Sequence, residues 1–397
     1  MEVLVFLNAT IFSFYAWKIW RKTRFLTIEM LLVLLYSFTA IMCFVFACQS
    51  PKTYPNIELL PFLYLFCTLL IFLQPVSKMS NETQSIVVKN ESMLKYIAYF
   101  YILLAIFDCA TSFAHTEELI QSGMWNELRD QTYTDAESVV LYDNQYQRIA
   151  KNLLGYLKPL ILPLTFFQLT KPKVNKILLV SLFMSIVAPS FIAAAADASR
   201  GMIVNVIVQL IISYLLFRPF IPENRKKYVY YGGIVMCVLF ASYLITVTIS
   251  RFGEEDASDS LYFYVGHSML AFNDGVFGEM NYYAWGRKFF DFFIDFFGGD
   301  SSFNATKAGC TCAGTFVTFI GSLYMDFGPI GTIIVGLIAA KLMMPFFAKR
   351  NLLLSDTVII IFYSSTIANG IFVSPRGRAL SWAMMLLIYF ITKKIER

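Results

Sequence analysis

Charge is the first thing this sequence is short of. Of its 397 residues only 15% are Asp, Glu, Lys or Arg, where an ordinary soluble chain carries about 25%. So little charge leaves too little polar surface to cover a soluble globule. Histidine is scarcer still, with two residues, His115 and His267. They form no pair at metal-ligand spacing, and the acids make no recognisable Asp-x-Asp cluster, so neither a metal nor a cofactor is expected. A phosphate-cradling Gly-Lys-Ser/Thr loop is missing, which excludes ATP-driven chemistry. Long basic tracts are missing too: the net charge of +5 is spread in short clusters between apolar runs, the pattern of a membrane surface and not of a nucleic-acid binder. Of the seven cysteines, Cys43, Cys48, Cys67, Cys109 and Cys237 lie in apolar runs and read as small hydrophobes. Cys310 and Cys312 read as exposed, and their spacing specifies nothing.

What the chain has instead is apolar residues, 57% of the total, with 39 Phe and 23 Tyr. The bilayer is the solvent that accommodates them. Runs of about 20 mostly apolar residues fall near 2–20, 25–48, 57–75, 96–114, 153–169, 176–196, 201–217, 229–250, 329–347 and 356–373, and a shorter one covers 379–392. They predict an all-α, polytopic integral membrane bundle of about 11 transmembrane helices forming a single domain over 1–397. The first run begins at Glu2 and has its basic cluster (Lys18, Arg21, Lys22, Arg24) behind it, unlike a cleaved signal peptide. Those residues place the N-terminus outside and, with an odd number of spans, the C-terminus in the cytoplasm. That orientation gives the inner connections roughly 20 of the 32 basic residues and about six of the 27 acidic ones.

The inner connections are short, and the mass outside the membrane is expected in two outer loops, about 115–152 and 251–328. Loops of this length usually carry function. In the second, Arg287, Asp291 and Asp295 recur every four residues among Phe289, Phe290, Phe292, Phe293, Phe296 and Phe297, the pattern of an amphipathic helix lying in the outer interface.

Outer arginines oppose the positive-inside bias. Arg200 stands at a tight hairpin after Asp197, Arg251 closes the eighth run, and Arg376 and Arg378 precede the short last run. Forked planar cations at similar depth suit bidentate capture of phosphate oxygens. Deeper lie Asp108 and Lys158, expected as a structural ion pair or as acceptor-binding groups. His267, in an aromatic outer stretch, is a candidate general base, with Glu279 and Asp197 as rivals, while His115 reads as a solvated loop residue.

Ser199-Arg200-Gly201, Arg251 opening a large outer loop, and Gly321-Ser322-Leu323-Tyr324-Met325-Asp326-Phe327-Gly328 followed by Ile330-Gly331 resemble bacterial O-antigen polymerases of the Wzy type, the oligosaccharide repeat-unit polymerases. The resemblance implies a glycosyltransferase of the bacterial cytoplasmic membrane. Such an enzyme moves a growing glycan from an undecaprenyl diphosphate carrier onto a new lipid-linked repeat unit, building O-antigen or capsule-type polysaccharide. It maps the family's outer arginines to Arg200 and Arg251; Arg376 and Arg378 join on chemistry alone. The implied partners are undecaprenyl-diphosphate-linked oligosaccharide, membrane lipid and a chain-length regulator. His267 stands where related O-antigen ligases keep an outer-loop histidine. A ligase is the nearest alternative, and a lipid-linked oligosaccharide flippase or other transporter is the alternative from another class.

Overall fold

The computed structural model describes residues 1–50, 52–79, 85–122, 145–196, 200–311, 316–372 and 379–396; for 114–122, 196, 200 and 247–261 it describes the backbone alone. Among the described residues 78% are helical. Twelve α-helices run in chain order among the described residues: α1 (Glu2–Thr23), α2 (Ile28–Gln49), α3 (Leu59–Ser77), α4 (Glu91–Ser122), α5 (Gln145–Thr170), α6 (Lys176–Ala196), α7 (Arg200–Phe217), α8 (Glu223–Gly275), α9 (Asp291–Phe296), α10 (Phe319–Phe347), α11 (Leu354–Asn369) and α12 (Ala379–Ile395). The only sheet among them pairs two three-residue strands in parallel, β1 (Ser85–Val87) and β2 (Asn351–Leu353).

Nine of these helices are long and apolar enough to cross a membrane. Where the tenth and eleventh spans are expected stand the helices α11 and α12, with 16 and 17 residues. At 1.5 Å per residue that is about 24–26 Å, short of a 30 Å hydrocarbon core. The two long connections also begin later than the apolar runs suggest. α4 continues to Ser122, and α5 starts at Gln145. α8 does not close at Arg251: it continues to Gly275, 53 residues in all, about 80 Å of helix. Its apolar run gives way at Arg251 to a stretch holding Glu254, Glu255, Asp256 and Asp259, yet no proline interrupts 247–275, and the last turns bury Met269, Leu270, Ala271 and Phe272. Burial of that face sustains the helix where membrane hydropathy no longer does.

The chain divides into two compact units. The first holds 1–84, 258–350 and 362–386; the second holds 85–257, 351–361 and 387–397. In the first, large side chains fill the core and their polar ends meet backbone carbonyls. Tyr36 donates to Ile367 O at 3.0 Å and Tyr363 to Phe72 O at 2.8 Å, so neither buried hydroxyl is left unsatisfied. In the second unit the helix ends are closed by tertiary contacts. The Arg225 guanidinium donates to Leu169 O and Pro172 O, both at 2.8 Å, and to Lys171 O, covering carbonyls that the C-terminus of α5 leaves open. Glu396 accepts from Leu354 N at 2.8 Å and Ser355 N at 3.1 Å, capping the N-terminus of α11 from 41 residues further along the chain.

Candidate functional site

In the first unit the site is built on a broken helix. α10 is interrupted at Gly328 (φ 72, ψ −179), and Pro329 follows. A proline has no N–H, so the carbonyl of Met325 loses its helical partner, and the positive φ of Gly328, a conformation open to glycine, turns the next amide away from Asp326 O. Both orphaned carbonyls are taken by the loop before α9: Ala284 N donates to Met325 O at 3.0 Å and Trp285 N to Asp326 O at 2.6 Å. On the far side of the break, Thr332 Oγ1 donates to Gly328 O and the Tyr64 hydroxyl to Pro329 O.

The Asp326 side chain completes the join. It is 1% exposed, and its carboxylate accepts from Gly286 N at 2.9 Å, Lys288 N at 3.3 Å and Phe289 N at 2.8 Å. Three amides around one carboxylate form a closed nest, taking three of its about four acceptor sites, so this group holds the loop. The loop it holds is strained. Trp285 sits at φ 53 with Gly286 at φ 88, and a bulky residue at positive φ is an outlier that persists only where its surroundings enforce it. The result is an outward-facing indole, 75% exposed, with its ring edge-on to Tyr283 at 6.1 Å. Behind it lies a packed aromatic cluster of Tyr64, Phe272, Phe277, Tyr283 and Tyr324.

Of the amphipathic helix expected from Arg287 onward, only Asp291–Phe296 is helical, as α9, and Arg287 stands in the turn before it. Phe290, Phe292, Phe296 and Phe297 around it are exposed, and Phe292 stacks on Phe296. The polar positions serve the turn and not a long helix: Asp295 accepts from Ser301 N and Ser301 Oγ.

His267 is placed differently from a solvent-accessible base. It is 1% exposed and stacks face to face on Phe263 at 4.4 Å. Nδ1 donates to Phe263 O at 2.8 Å and Nε2 accepts from Phe316 N at 3.2 Å. Both nitrogens are occupied in the neutral ring, and burial holds the pKa below the usual histidine value against the opposing pull of the Phe263 carbonyl. The geometry is that of a structural histidine joining α8 to the segment before α10. Glu279 is the opposite case. It is exposed, on the turn that follows α8, and Gly309 (φ +99) packs so closely against its carbonyl that a Cβ there would lie 2.3 Å from Glu279 O.

In the second unit Asp108 lies within electrostatic reach of Lys151 and Lys158. Asp108 on α4 is 4% exposed, its Oδ1 accepts no hydrogen bond among the described residues, and Lys151 and Lys158 lie close enough for their charges to act on it. Lys158 also donates to Ser190 on α6 at 3.0 Å. Lys151 was not singled out in the sequence. The signal was its spacing, since Arg148, Lys151, Gly155 and Lys158 fall on one face of α5. Asp197, Arg376 and Arg378 lie outside the described residues. Arg200 is the first residue of α7, Arg251 lies within α8 and His115 within α4, and only their backbone is described. Cys310 is buried, not exposed as expected.

Comparison of the chain with family models, with characterised proteins and with solved structures finds no match.

Proposed function

We propose that this protein is a membrane glycosyltransferase that polymerises undecaprenyl-diphosphate-linked oligosaccharide at the outer face of the bacterial cytoplasmic membrane. The observation that carries the reading is Trp285. A strained backbone and a buried carboxylate nest are spent on presenting one aromatic face outward, and an exposed, rigid indole is the kind of surface on which sugar rings stack. The nine apolar helices supply the bilayer setting that a polyprenyl carrier requires.

In this mechanism the hydroxyl of the acceptor repeat unit loses its proton to a carboxylate, and its oxygen bonds to the anomeric carbon of the donor glycan. The anomeric C–O bond to the diphosphate breaks, and its electrons leave with the diphosphate. Glu279 and Asp197 are the carboxylates assigned to the proton, Glu279 first because its side chain is exposed. Arg200, Arg251, Arg376 and Arg378 are assigned to the diphosphate, where guanidiniums offset the charge developing on the leaving group. Asp108 and Lys158 bind the acceptor or serve as a structural pair. No nucleotide enters the scheme, because the carrier diphosphate is itself the leaving group.

A second reading, transport of the lipid-linked glycan, is favoured by one observation, the interruption of α10 at Gly328–Pro329, since broken helices line transporter sites. The two separate on a gel of surface glycan. Trp285→Gly, which accepts the positive φ and removes only the ring, is expected to give single repeat units with no ladder, and Trp285→Tyr to restore the ladder. Loss of even the single surface-exposed unit would favour transport, and an unchanged ladder in Trp285→Gly would remove the aromatic site.

A further inference from the structure

α1 and α2 carry a feature that glycan transfer does not use. Phe6, Thr10, Ser13, Phe14 and Trp17 recur every three to four residues and so share one face of α1. α2 runs back against it, with the Phe44 ring 5.5 Å from Phe6 and Ser37 bonded to Ser13 at 3.0 Å. Between the helices lies an open groove of about 600 Å³, lined by Phe6, Ser13, Phe14, Trp17, Ile41 and Phe44 among others. From Phe6 to Trp17 it runs about 16 Å, close to the ~15 Å of hydrocarbon in one leaflet.

One end of the groove is cationic. Arg21 continues the same face of α1 one turn beyond Trp17, and its guanidinium lies 4.9 Å above the indole. It makes no ion pair among the described residues. Lys18, Lys22 and Arg24 are exposed around it. The acid at this end is Glu29, in the first turn of α2, and the charge facing it is that of Lys22. An apolar channel of one leaflet's depth that ends in surplus positive charge matches one ligand chemistry: an acyl chain joined to an anionic phosphate.

We infer that this groove is a binding site for an anionic phospholipid, with one acyl chain along Phe6–Trp17 and the headgroup phosphate on Arg21. The site is independent of the glycosyltransferase reading. Its test is quenching of Trp17 fluorescence, taken as wild type minus Trp17→Phe, for the full chain in phosphatidylcholine vesicles. Brominated acyl chains are introduced on either phosphatidylglycerol or phosphatidylcholine. One favourable arginine contact at the headgroup predicts half-quenching at an about fivefold lower fraction of the brominated anionic lipid. Arg21→Gln should bring the two lipids level, and Arg21→Lys should keep part of the preference. Equal quenching by both lipids in the wild type overturns the proposal. So does a Phe14→Cys variant that crosslinks between copies with Trp17 shielded from either lipid, which would make a second copy of the chain the occupant.

Discussion

Asp326 holds Trp285 and its neighbour by both its backbone and its side chain: its carbonyl accepts Trp285 N at 2.6 Å, and its carboxylate accepts the next amide, Gly286 N, at 2.9 Å. One residue at a helix break thus sets the conformation of the exposed aromatic loop. Asp326→Asn keeps the volume but offers one acceptor oxygen where the carboxylate offers two, leaving at least one of three amides unpaired. The expected cost is about 1–3 kcal/mol, read as a lowered thermal transition of the purified protein, with shortened glycan ladders. An unshifted transition with normal ladders would show that the nest does not organise the loop.

His267 carries a pH dependence whose sign follows from its burial. Its folded pKa lies below the ordinary value of 6.5, so the unfolded chain takes up the proton first as pH falls. The stability this residue contributes is therefore full above about pH 6.5 and is lost as pH falls from there through the folded pKa. Thermal stability measured from pH 7.5 to 5 should decline in the wild type and be flatter in His267→Gln. Polymer formation near neutral pH should survive His267→Gln whenever the variant folds, whereas Glu279→Gln should abolish it without moving the transition, as expected of an exposed side chain. The reverse pattern would return the role of base to His267.

The Asp108–Lys158 pair separates structure from chemistry through a double substitution. Lys158→Met alone removes one of the two cations acting on a buried carboxylate, Lys151 being the other, and should lower the thermal transition. Adding Asp108→Asn removes the stranded charge and should restore most of that loss. A stable double variant that makes no polymer assigns the pair to the acceptor, and one that makes normal polymer assigns it to the bundle.

The arginines are tested by shape as well as charge. Arg200→Ala, Arg251→Ala and Arg376→Ala should each abolish long polymer while the protein stays in the membrane. Lysine at the same positions should rescue poorly, because a point charge cannot replace a bidentate fork. Normal ladders from all three alanine variants would remove the diphosphate assignment.

The long apolar helices were legible because a run of 20 apolar residues has few alternatives to a helix in lipid. The limits of the helices were not. α8 outlasts its hydropathy because a distant core buries its last turns, and α11 and α12 fall short of a full span by a few residues. The break in α10 was legible in principle as the pair Gly328-Pro329, and Asp326 stood in the motif that suggested a polymerase. Its three amide partners come from residues 286–289, some 40 positions away, and no local pattern announces them. For His267 the misleading signal was composition. Tyr262, Phe263 and Tyr264 resemble an exposed aromatic loop when read along the chain, but in three dimensions they are turns of a helix whose inner face, Phe263 included, encloses the imidazole.

Purified protein in vesicles, given lipid-linked repeat unit and no nucleotide, tests glycan transfer itself. The glycan is expected to lengthen by whole repeat units, with release of one undecaprenyl diphosphate for each linkage formed, and Arg200→Lys and Trp285→Gly are both expected to suppress it. Repeat units that stay single while crossing from one leaflet to the other would contradict it.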